Sequence, residues 1–409
     1  MTASTGRTPE GRAGRRVLII VENLPVPFDR RVWNEANALR DAGYQVSIIC
    51  PKGVGAEESL LVLDGIRIYR HPLPLDARGA LGYLLEYSSA LFWESLLAWR
   101  VFFTTGFDAI HACNPPDLIF FIGGFFKYVF GKKFLFDHHD INPELYEAKF
   151  KRKDFFHRLL LGAERATFAT ADISIATNNS YREIAITRGK MKPEKVFVVR
   201  SGPSLERMGI QPPCPALKKG RKFLVGYVGV MGAQEGLDYL LQAARHIVHD
   251  LKRDDVHFGL VGSGPELASL KRLAAELGVE RHITFAGRVP DAALLAMLNT
   301  ADICVNADAF NPMNDKSTMN KIMEYMALGK PIVQFDLTEG RFSAGAASLY
   351  ARPNDAVDLG DKIVELLDDP VRRAAMGRIG RERIEQELAW PYEVPKLLAA
   401  YAALWPDRP

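Results

Sequence analysis

Two neighbouring histidines and an aspartate, His138, His139 and Asp140, directly follow a short apolar run at 133–137. A lone histidine is usually structural, but imidazole and carboxylate groups together can move protons or stabilise charge. In parallel α/β sheets, ligands bind beyond the carboxyl ends of the strands. We therefore expect these three residues as candidate catalytic groups. His139 is the first candidate, and His138 is expected to lie farther from a ligand.

A second candidate site is a helix predicted to begin near Ser317 and Thr318, which are residue types that cap helices. The amide groups of Met319 and Asn320 would then form an anion site suited to a diphosphate. Glu324 lies farther along the helix, where its carboxylate could accept both hydroxyls of a ribose. The same spacing also fits a capped core helix that carries a surface glutamate.

Glycines that follow predicted strands form the third candidate, namely Gly229, Gly262 and Gly264. Glycine allows the backbone to approach a ligand closely, although it is equally common in tight turns. Arg288 follows another predicted strand, a position that also suits a surface charge.

These residues must be positioned by parallel βαβ units, because short β-branched runs alternate with helical patterns along the whole chain. Strands are predicted at 17–22, 45–50, 107–112, 133–137, 172–176, 195–199, 223–229, 256–261, 282–286, 302–306 and 331–335. The proline-rich stretch 201–220 is predicted to be a linker. We predict a tail at 1–15, a first domain at 16–200, a second at 221–388 and a final helix at 389–409. Two Rossmann-like domains would face each other across a cleft.

Composition excludes several classes of protein. The chain has 409 residues, of which 48% are hydrophobic and 25% charged, which suits two globular domains. With 52 basic and 49 acidic residues it carries a net charge of +3, so a dedicated nucleic-acid binder is not indicated. Four cysteines without a CxxC pair indicate a reducing, cytoplasmic compartment and no zinc knuckle. The apolar run at 118–130 predicts a buried helix rather than a membrane span.

Four stretches together resemble glycosyltransferase family 4, and the resemblance extends over essentially the whole chain. They are KIMEYMALGKPIVQFD at 321–336, ENLPVPFDRRVWNEANALRDAGYQVSIICPKG at 22–53, VGSGPELASLKRLAAELGV at 261–279 and ITFAGRV at 283–289. The resemblance implies an α/β GT-B architecture and retaining transfer of a sugar from a nucleotide-diphosphate sugar. It also implies that no metal or other cofactor is needed, which agrees with the lack of a DxD-type motif near the candidate residues.

The resemblance assigns roles to two residues, and it implies that the stretch around Arg288 packs beside the nucleotide base. Glu324 matches the glutamate that holds the donor ribose, and His139 matches a histidine that contacts the donor sugar near the reacting carbon. In retaining transfer, the donor's own phosphate oxygen takes the acceptor proton. His139 is therefore expected to position the sugar and to stabilise charge, rather than to act as a certain general base.

Three positions depart from the family pattern. Val230 and Glu235 stand where the family has the arginine and lysine that grip the diphosphate, and Lys316 replaces the first glutamate of a paired motif. The missing cations must then come from elsewhere. We expect Arg30 or Arg31 together with Lys321 to supply them, whereas Lys316 is expected to be solvated.

A basic, aromatic stretch at 146–165 and a long aromatic helix at 81–103 suit an anionic membrane surface, and equally suit a solvated turn and a core helix. The partners expected are a nucleotide sugar, a glycan, lipid-linked or small-molecule acceptor, and possible inner-face membrane lipid. Exopolysaccharide or cell-envelope synthesis is the expected process. Two alternatives stay open: a sugar-nucleotide epimerase on a similar scaffold, and a non-catalytic sugar-nucleotide binder.

Overall fold

A computed structural model describes residues 14–72 and 79–406, without the side chains of 79–87. Residues 1–13 of the predicted tail lie outside the described residues. The chain divides into two compact units. Unit 1 comprises 1–200 and 393–409, and unit 2 comprises 201–392. The proline-rich stretch 201–220 thus groups with unit 2, and most of the final helix groups with unit 1.

Within the described residues, unit 1 is built on an eight-stranded sheet. Its elements are β1 (Arg16–Ile20), α1 (Arg30–Asp41), β2 (Gln45–Pro51), β3 (Leu60–Leu63), β4 (Ile66–His71), α2 (Gly79–Thr104), β5 (Ala109–Cys113), α3 (Phe120–Phe130), β6 (Lys133–His138), α4 (Asn142–Phe150), α5 (Phe155–Thr170), β7 (Ile173–Ala176), α6 (Asn179–Thr187) and β8 (Val196–Val198). The strand order is β3-β4-β2-β1-β5-β6-β7-β8, and β3 pairs antiparallel with β4. The remaining pairs are parallel, so the carboxyl ends of β1, β5 and β6 meet at one edge.

Unit 2 carries a six-stranded parallel sheet within the described residues, in the order β11-β10-β9-β12-β13-β14. Its elements are β9 (Phe223–Val228), α7 (Leu237–Arg245), β10 (Val256–Val261), α8 (Leu267–Glu276), β11 (Ile283–Gly287), α9 (Asp291–Thr300), β12 (Ile303–Asn306), α10 (Asn320–Ala327), β13 (Ile332–Phe335), α11 (Thr338–Ala344), β14 (Ser348–Ala351), α12 (Ala356–Asp368) and α13 (Pro370–Arg383). The last helix, α14 (Trp390–Leu404), begins in unit 2 and continues in unit 1.

Buried aliphatic and aromatic strand residues form the core of each unit. In unit 1, Leu18, Ile19 and Ile20 of β1 are fully buried, as expected for a strand covered on both faces. In unit 2, Val225 and Tyr227 of β9 pack in one such core. None of the helices in the described part of the chain is both long and apolar enough to span a bilayer.

The loops at the sheet edges place the candidate residues. Helix α1 begins beside β1 because the Asp29 side chain accepts a hydrogen bond from the Val32 amide, 3.1 Å away, as a helix cap does. Arg30 and Arg31 are therefore its first two residues. Strand β6 ends at His138, so His139 and Asp140 lie in the loop that follows it.

Candidate functional site

Asp137 is the centre of a buried polar cluster in unit 1. Its Oδ2 atom lies 2.6 Å from Nε2 of His139 and 3.3 Å from Nε2 of His111. The Arg31 guanidinium lies 2.9 Å from Oδ1 of the same carboxylate. Burial acts to raise the pKa of Asp137, but Arg31 and His139 outweigh it and hold the pKa well below its usual range. Asp137 is therefore a fixed negative charge.

Two further groups complete the cluster. Glu35 is fully buried and lies 3.0 Å from Arg31, one turn along α1. Burial raises its pKa well above the usual range and lowers the pKa of His111. The Nδ1 atom of His111 lies 2.8 Å from the hydroxyl of Tyr401 in α14. Arg31 and Asp137 thus form the charged pair, while burial favours the neutral forms of Glu35 and His111.

Arg31 does not fit the predicted role of a phosphate cation. Its side chain is only 8% exposed, and it also donates to the carbonyl oxygen of Val199 at 2.7 Å. A guanidinium held by carboxylates and a backbone oxygen stabilises unit 1 itself. Arg30, by contrast, is exposed at the start of α1.

His139 is held in one orientation by contacts at both ends. Its backbone amide donates to Oδ1 of Asn114 at 2.7 Å. Its ring lies against Asp137, and the side chain is 15% exposed. The Arg31 Nε atom is 3.0 Å from the same ring nitrogen, but the Asp137 contact is shorter and favours a proton on Nε2. This leaves Nδ1 as the nitrogen for a ligand. Asp137, two residues earlier on the strand, is a group that sequence reasoning missed.

His138 does not fit the predicted catalytic role. Its side chain is fully buried among the rings of Phe136, Phe168 and Tyr181, at centroid distances of 5.1–5.5 Å. Burial, aided by the nearby charge of Arg188, lowers its pKa to about 3. A neutral imidazole packed between aromatic rings is a core residue. The apolar spacing of β6 and α5 is the sequence signal that could have indicated this.

Asp140 is partly buried beside His139, and its backbone carbonyl accepts from Nδ2 of Asn114 at 2.6 Å. Burial raises the pKa of its carboxyl group. Asn114 therefore holds the backbone of both His139 and Asp140.

In unit 2, the three candidate glycines pack loop against loop. A Cβ on Gly262, where φ is +137°, would collide with the carbonyl oxygen of Gly229. A Cβ on Gly264 would meet the backbone of Met231. A side chain on Gly229 would come within 2.6 Å of the Tyr227 hydroxyl. Close packing within unit 2 is thus a sufficient reason for glycine at these positions.

Lys321 is the cation of a second buried cluster. Its Nζ atom lies 2.6 Å from Glu235, 2.9 Å from Asp308 and 5.0 Å from the centre of the Tyr227 ring. Burial opposes the charge, but Asp308 and its neighbours raise the pKa of Lys321 well above the usual range. Burial also raises the pKa of Asp308 to about 7. The expected phosphate cation is therefore already held by carboxylates, one of them Glu235.

Helix α10 begins two residues later than predicted. The cap position is Met319, directly before the first residue, Asn320, rather than Ser317 or Thr318, and the Met319 side chain makes no capping hydrogen bond. The Ser317 hydroxyl donates to the Met313 carbonyl at 2.8 Å. Backbone amides at the start of a helix can bind an anion.

Glu324 lies on α10, 3.0 Å from the guanidinium of Arg207. Arg207 also holds Asp291 at 2.8 Å, so it joins the start of α9 to α10. Burial raises the pKa of Glu324, and Arg207 opposes this shift. Arg207 lies in the stretch predicted to be a linker, 201–220, and is 117 residues from Glu324 in the sequence. No local spacing could have indicated it.

The remaining candidates lie near the surface of unit 2. Arg288 is exposed directly after β11, and Asn320 is exposed at the start of α10. Lys316 and Thr318 are partly exposed in the segment before α10. Lys316 ends a short 3₁₀ turn, Asn314–Lys316.

Comparison with known proteins identifies both parts of the chain. The family model described as Glycosyltransferase Family 4 matches residues 29–207, and the model described as Glycosyl transferases group 1 matches residues 222–369. A mannosyltransferase of Corynebacterium glutamicum, described as GDP-mannose-dependent and acting on a monoacylated phosphatidylinositol monomannoside, is 32% identical over 38% of this chain and 41% of its own. The chain spans about two fifths of the length of the curated relatives it matches.

Solved structures resemble the chain over nearly its full length. Sucrose-phosphate synthase from Thermosynechococcus elongatus has a TM-score of 0.78 at 20% identity, covering 95% of this chain and 99% of that chain. Anabaena HepE in complex with UDP-glucose has a TM-score of 0.71 at 15% identity, covering 95% and 99%. At these identities the likeness concerns the fold. The chain belongs to the GT-B glycosyltransferases, with a Family 4 domain followed by a group 1 domain.

Proposed function

We propose that the chain transfers a sugar from a nucleoside-diphosphate sugar to an acceptor hydroxyl with retention of configuration. The observation that carries this is α10 of unit 2, which combines a helix N-terminus whose cap residue, Met319, makes no side-chain capping bond with a carboxylate, Glu324, that Arg207 contacts at 3.0 Å. The first turn would bind the diphosphate and Glu324 the ribose hydroxyls. The matched glycosyltransferase family models support sugar transfer as the reaction.

In the proposed reaction, the bond between the anomeric carbon and the diphosphate oxygen breaks, and the acceptor oxygen bonds to that carbon on the same face. The acceptor proton passes to the departing phosphate oxygen, so no protein group has to remove it. His139, fixed by Asp137, would stabilise developing charge at the sugar through Nδ1. We propose that the reaction needs no metal ion.

The cluster around Asp137 is relevant to whether the reaction needs a metal ion. Two sets of its side chains, His111 with Cys113 and Asp137, and Glu35 with Asp137 and His139, have the spacing of metal ligands. The Arg31 guanidinium lies against the carboxylate that both sets share and already neutralises it. Turnover that survives EDTA would support the proposal, whereas loss of turnover restored by a divalent cation would contradict it.

We base our proposals for the nucleotide base of the donor and for the acceptor on the relatives. The corynebacterial relative is named for GDP-mannose and a phosphatidylinositol monomannoside, and HepE was solved with UDP-glucose. GDP- and UDP-sugars are thus the first donors to test, and lipid-linked glycans are the first acceptors, as in cell-envelope synthesis.

The test begins with thermal shifts of the purified chain in UDP-, GDP-, ADP- and TDP-sugars. Each donor that raises the melting temperature is then assayed for hydrolysis and for transfer, with the anomeric configuration of the product read by NMR. A retained configuration supports the proposal, and an inverted product contradicts it. An epimer formed without acceptor would identify an epimerase.

A non-catalytic sugar-nucleotide binder is the second candidate, favoured by one observation. Glu235 lies 2.6 Å from Lys321, so the cation in the first turn of α10 is already paired with an anion. If this pair suppresses catalysis, Glu235→Gln should increase both affinity for a nucleoside diphosphate and donor hydrolysis. Binding without hydrolysis in the wild type and in this variant would favour the binder. Glu280→Gln, an exposed acid of the same unit, is the matched control.

A further inference from the structure

Helix α3 turns its glycines towards the interior of unit 1 and several aromatic side chains towards solvent. Gly123 and Gly124 face the interior, where a Cβ on Gly123 would lie 2.5 Å from the ring of Phe134. Phe121, Phe125 and Tyr128 face outward and are 57%, 44% and 72% exposed. The helix predicted to be buried is therefore buried on one side only. A surface helix normally turns its polar side outward.

The exposed face of α3 continues onto α2. Trp99 of α2 lies 5.5 Å from Phe125 and stacks on Phe103, which is 75% exposed. Phe102 of α2 and Phe130 of α3 are in contact at 4.8 Å between ring centres. The two helices therefore form one aromatic surface, called here the α2–α3 face. Proteins that act as free monomers rarely expose apolar patches of this kind.

Cations lie on and beside the α2–α3 face, and Lys127 of α3 is paired with Asp172 at 2.9 Å. Among the described side chains of α2 and α3, the acidic residue Glu94 is fully buried, while Arg100 is exposed. Lys132 follows α3 and lies 5.6 Å above the ring of Phe102. Cations beside exposed aromatic rings are typical of surfaces that lie in the interfacial region of a bilayer.

We propose that the α2–α3 face docks unit 1 on a bilayer that contains anionic phospholipid. The aromatic side chains enter the boundary between headgroups and acyl chains, and Arg100 and Lys132 meet the lipid phosphates. A second copy of the chain fits less well. A two-fold interface through this face would bring like charges together, with no exposed acid among the described side chains of α2 and α3 to neutralise them. The α2–α3 face belongs to unit 1 and the residues proposed to bind the nucleotide belong to unit 2, so the inference does not depend on the proposed function.

Flotation with lipid vesicles tests the proposal. Wild-type protein should float with vesicles of phosphatidylcholine and phosphatidylglycerol, and much less with phosphatidylcholine alone. Phe121→Ser, Phe125→Ser and Val129→Ser in one variant should reduce the bound fraction at least tenfold. A matched control carries Val54→Ser, Val357→Ser and Val371→Ser, which are also exposed apolar residues, and should bind as the wild type does. Circular dichroism checks that both variants fold.

The charge is tested separately from the apolar face. Arg100→Gln with Lys132→Gln should lower binding to anionic vesicles by about fivefold per charge, and this loss should be smaller at high salt. Because Trp99 adjoins the face, brominated lipids should quench the fluorescence of the wild-type protein, and this readout does not require a variant to fold.

Three results would overturn the proposal. The first is wild-type protein that ignores both kinds of vesicle. The second is equal binding by the apolar variant and its control. The third is a dimer, seen by light scattering, that the apolar variant converts to a monomer while vesicle binding stays unchanged, which would identify a second copy as the occupant.

Discussion

The Nε2 atom of His139 lies 2.6 Å from Oδ2 of Asp137, so an ionised carboxylate fixes the ring of the candidate catalytic histidine. Asp137→Asn keeps the shape of this contact but removes its charge. We expect turnover to fall by about two to four orders of magnitude, because a histidine that loses its carboxylate partner changes its preferred tautomer. Donor affinity, measured by calorimetry, should change far less.

Asp108→Asn is the control for this variant, since Asp108 pairs with Arg16 near the surface of the same unit. It should leave turnover unchanged. If Asp137→Asn and Asp108→Asn retain the same turnover, Asp137 has no positioning role.

Arg31 and its neighbour Arg30 allow a matched comparison of a buried and an exposed arginine. Arg31→Ala leaves Asp137 buried without its guanidinium, and the free energy of unfolding should fall by about 3–5 kcal/mol. Arg30→Ala changes an exposed residue and should cost no more than about 1 kcal/mol. Urea denaturation of both variants measures the difference. Equal stability would show that the ion pair with Asp137 contributes little.

The contact between Arg207 and Glu324 predicts that both residues affect donor binding. Glu324→Gln should weaken binding of the nucleotide sugar by about 1.5–3 kcal/mol, because a carboxylate hydrogen-bonded to hydroxyls loses charge assistance. Arg207→Ala should also weaken binding, by about tenfold, since Glu324 then loses the partner that orients it. Calorimetry with the donor found by thermal shift gives both affinities.

Arg281→Ala, which removes an exposed cation of the same unit, is the control for Arg207→Ala. Unchanged donor affinity in Glu324→Gln would remove the ribose assignment. Unchanged affinity in Arg207→Ala alone would limit Arg207 to a structural contact.

The burial of His138 predicts that the free energy of unfolding depends on pH. Its pKa is about 3 in the folded chain, against about 6.5 in an unfolded one, so the unfolded state binds the proton between these values. Stability from this group is present above pH 6.5 and is lost as the pH falls towards 3. Between pH 7 and 5 the loss should be about 2 kcal/mol.

Urea denaturation at pH 7 and pH 5 tests this, with His138→Phe as the variant. The loss of stability between the two pH values should shrink by about 2 kcal/mol in His138→Phe relative to wild type. His249→Gln, at an exposed histidine of unit 2, should leave the loss unchanged. An equal loss in all three proteins would contradict the burial argument.

Most of the parallel strands of both units were predictable because each is a short apolar run between helical patterns. Strands β6 and β10, for example, lie within one residue of their predicted bounds. Strand β14 and the hairpin of β3 and β4 are missing from the prediction, although the turn of the hairpin has a sequence signal. Asp64 and Gly65 have φ values of 51° and 81°, as an Asp-Gly hairpin turn requires.

The environment of the candidate residues was less predictable than their positions. Arg31 and Glu35 are one helical turn apart, a spacing that indicates a pair but not its burial. Lys321 meets Glu235 from 86 residues away, and Arg207 meets Glu324 from 117 residues away. Such contacts depend on tertiary packing, and local periodicity carries no information about them.

The division of the chain has a consequence for how its halves can be produced. Unit 2 is one uninterrupted stretch, 201–392, whereas unit 1 is made from both ends of the chain. The Tyr401 hydroxyl bonds to His111, and the Glu393 carboxylate accepts from the Arg200 amide at 2.9 Å. Ending the gene after codon 200 would remove these partners from unit 1. Excising codons 201–392 and closing the gap with a short linker keeps them, which makes unit 2 a cassette that could be exchanged between relatives.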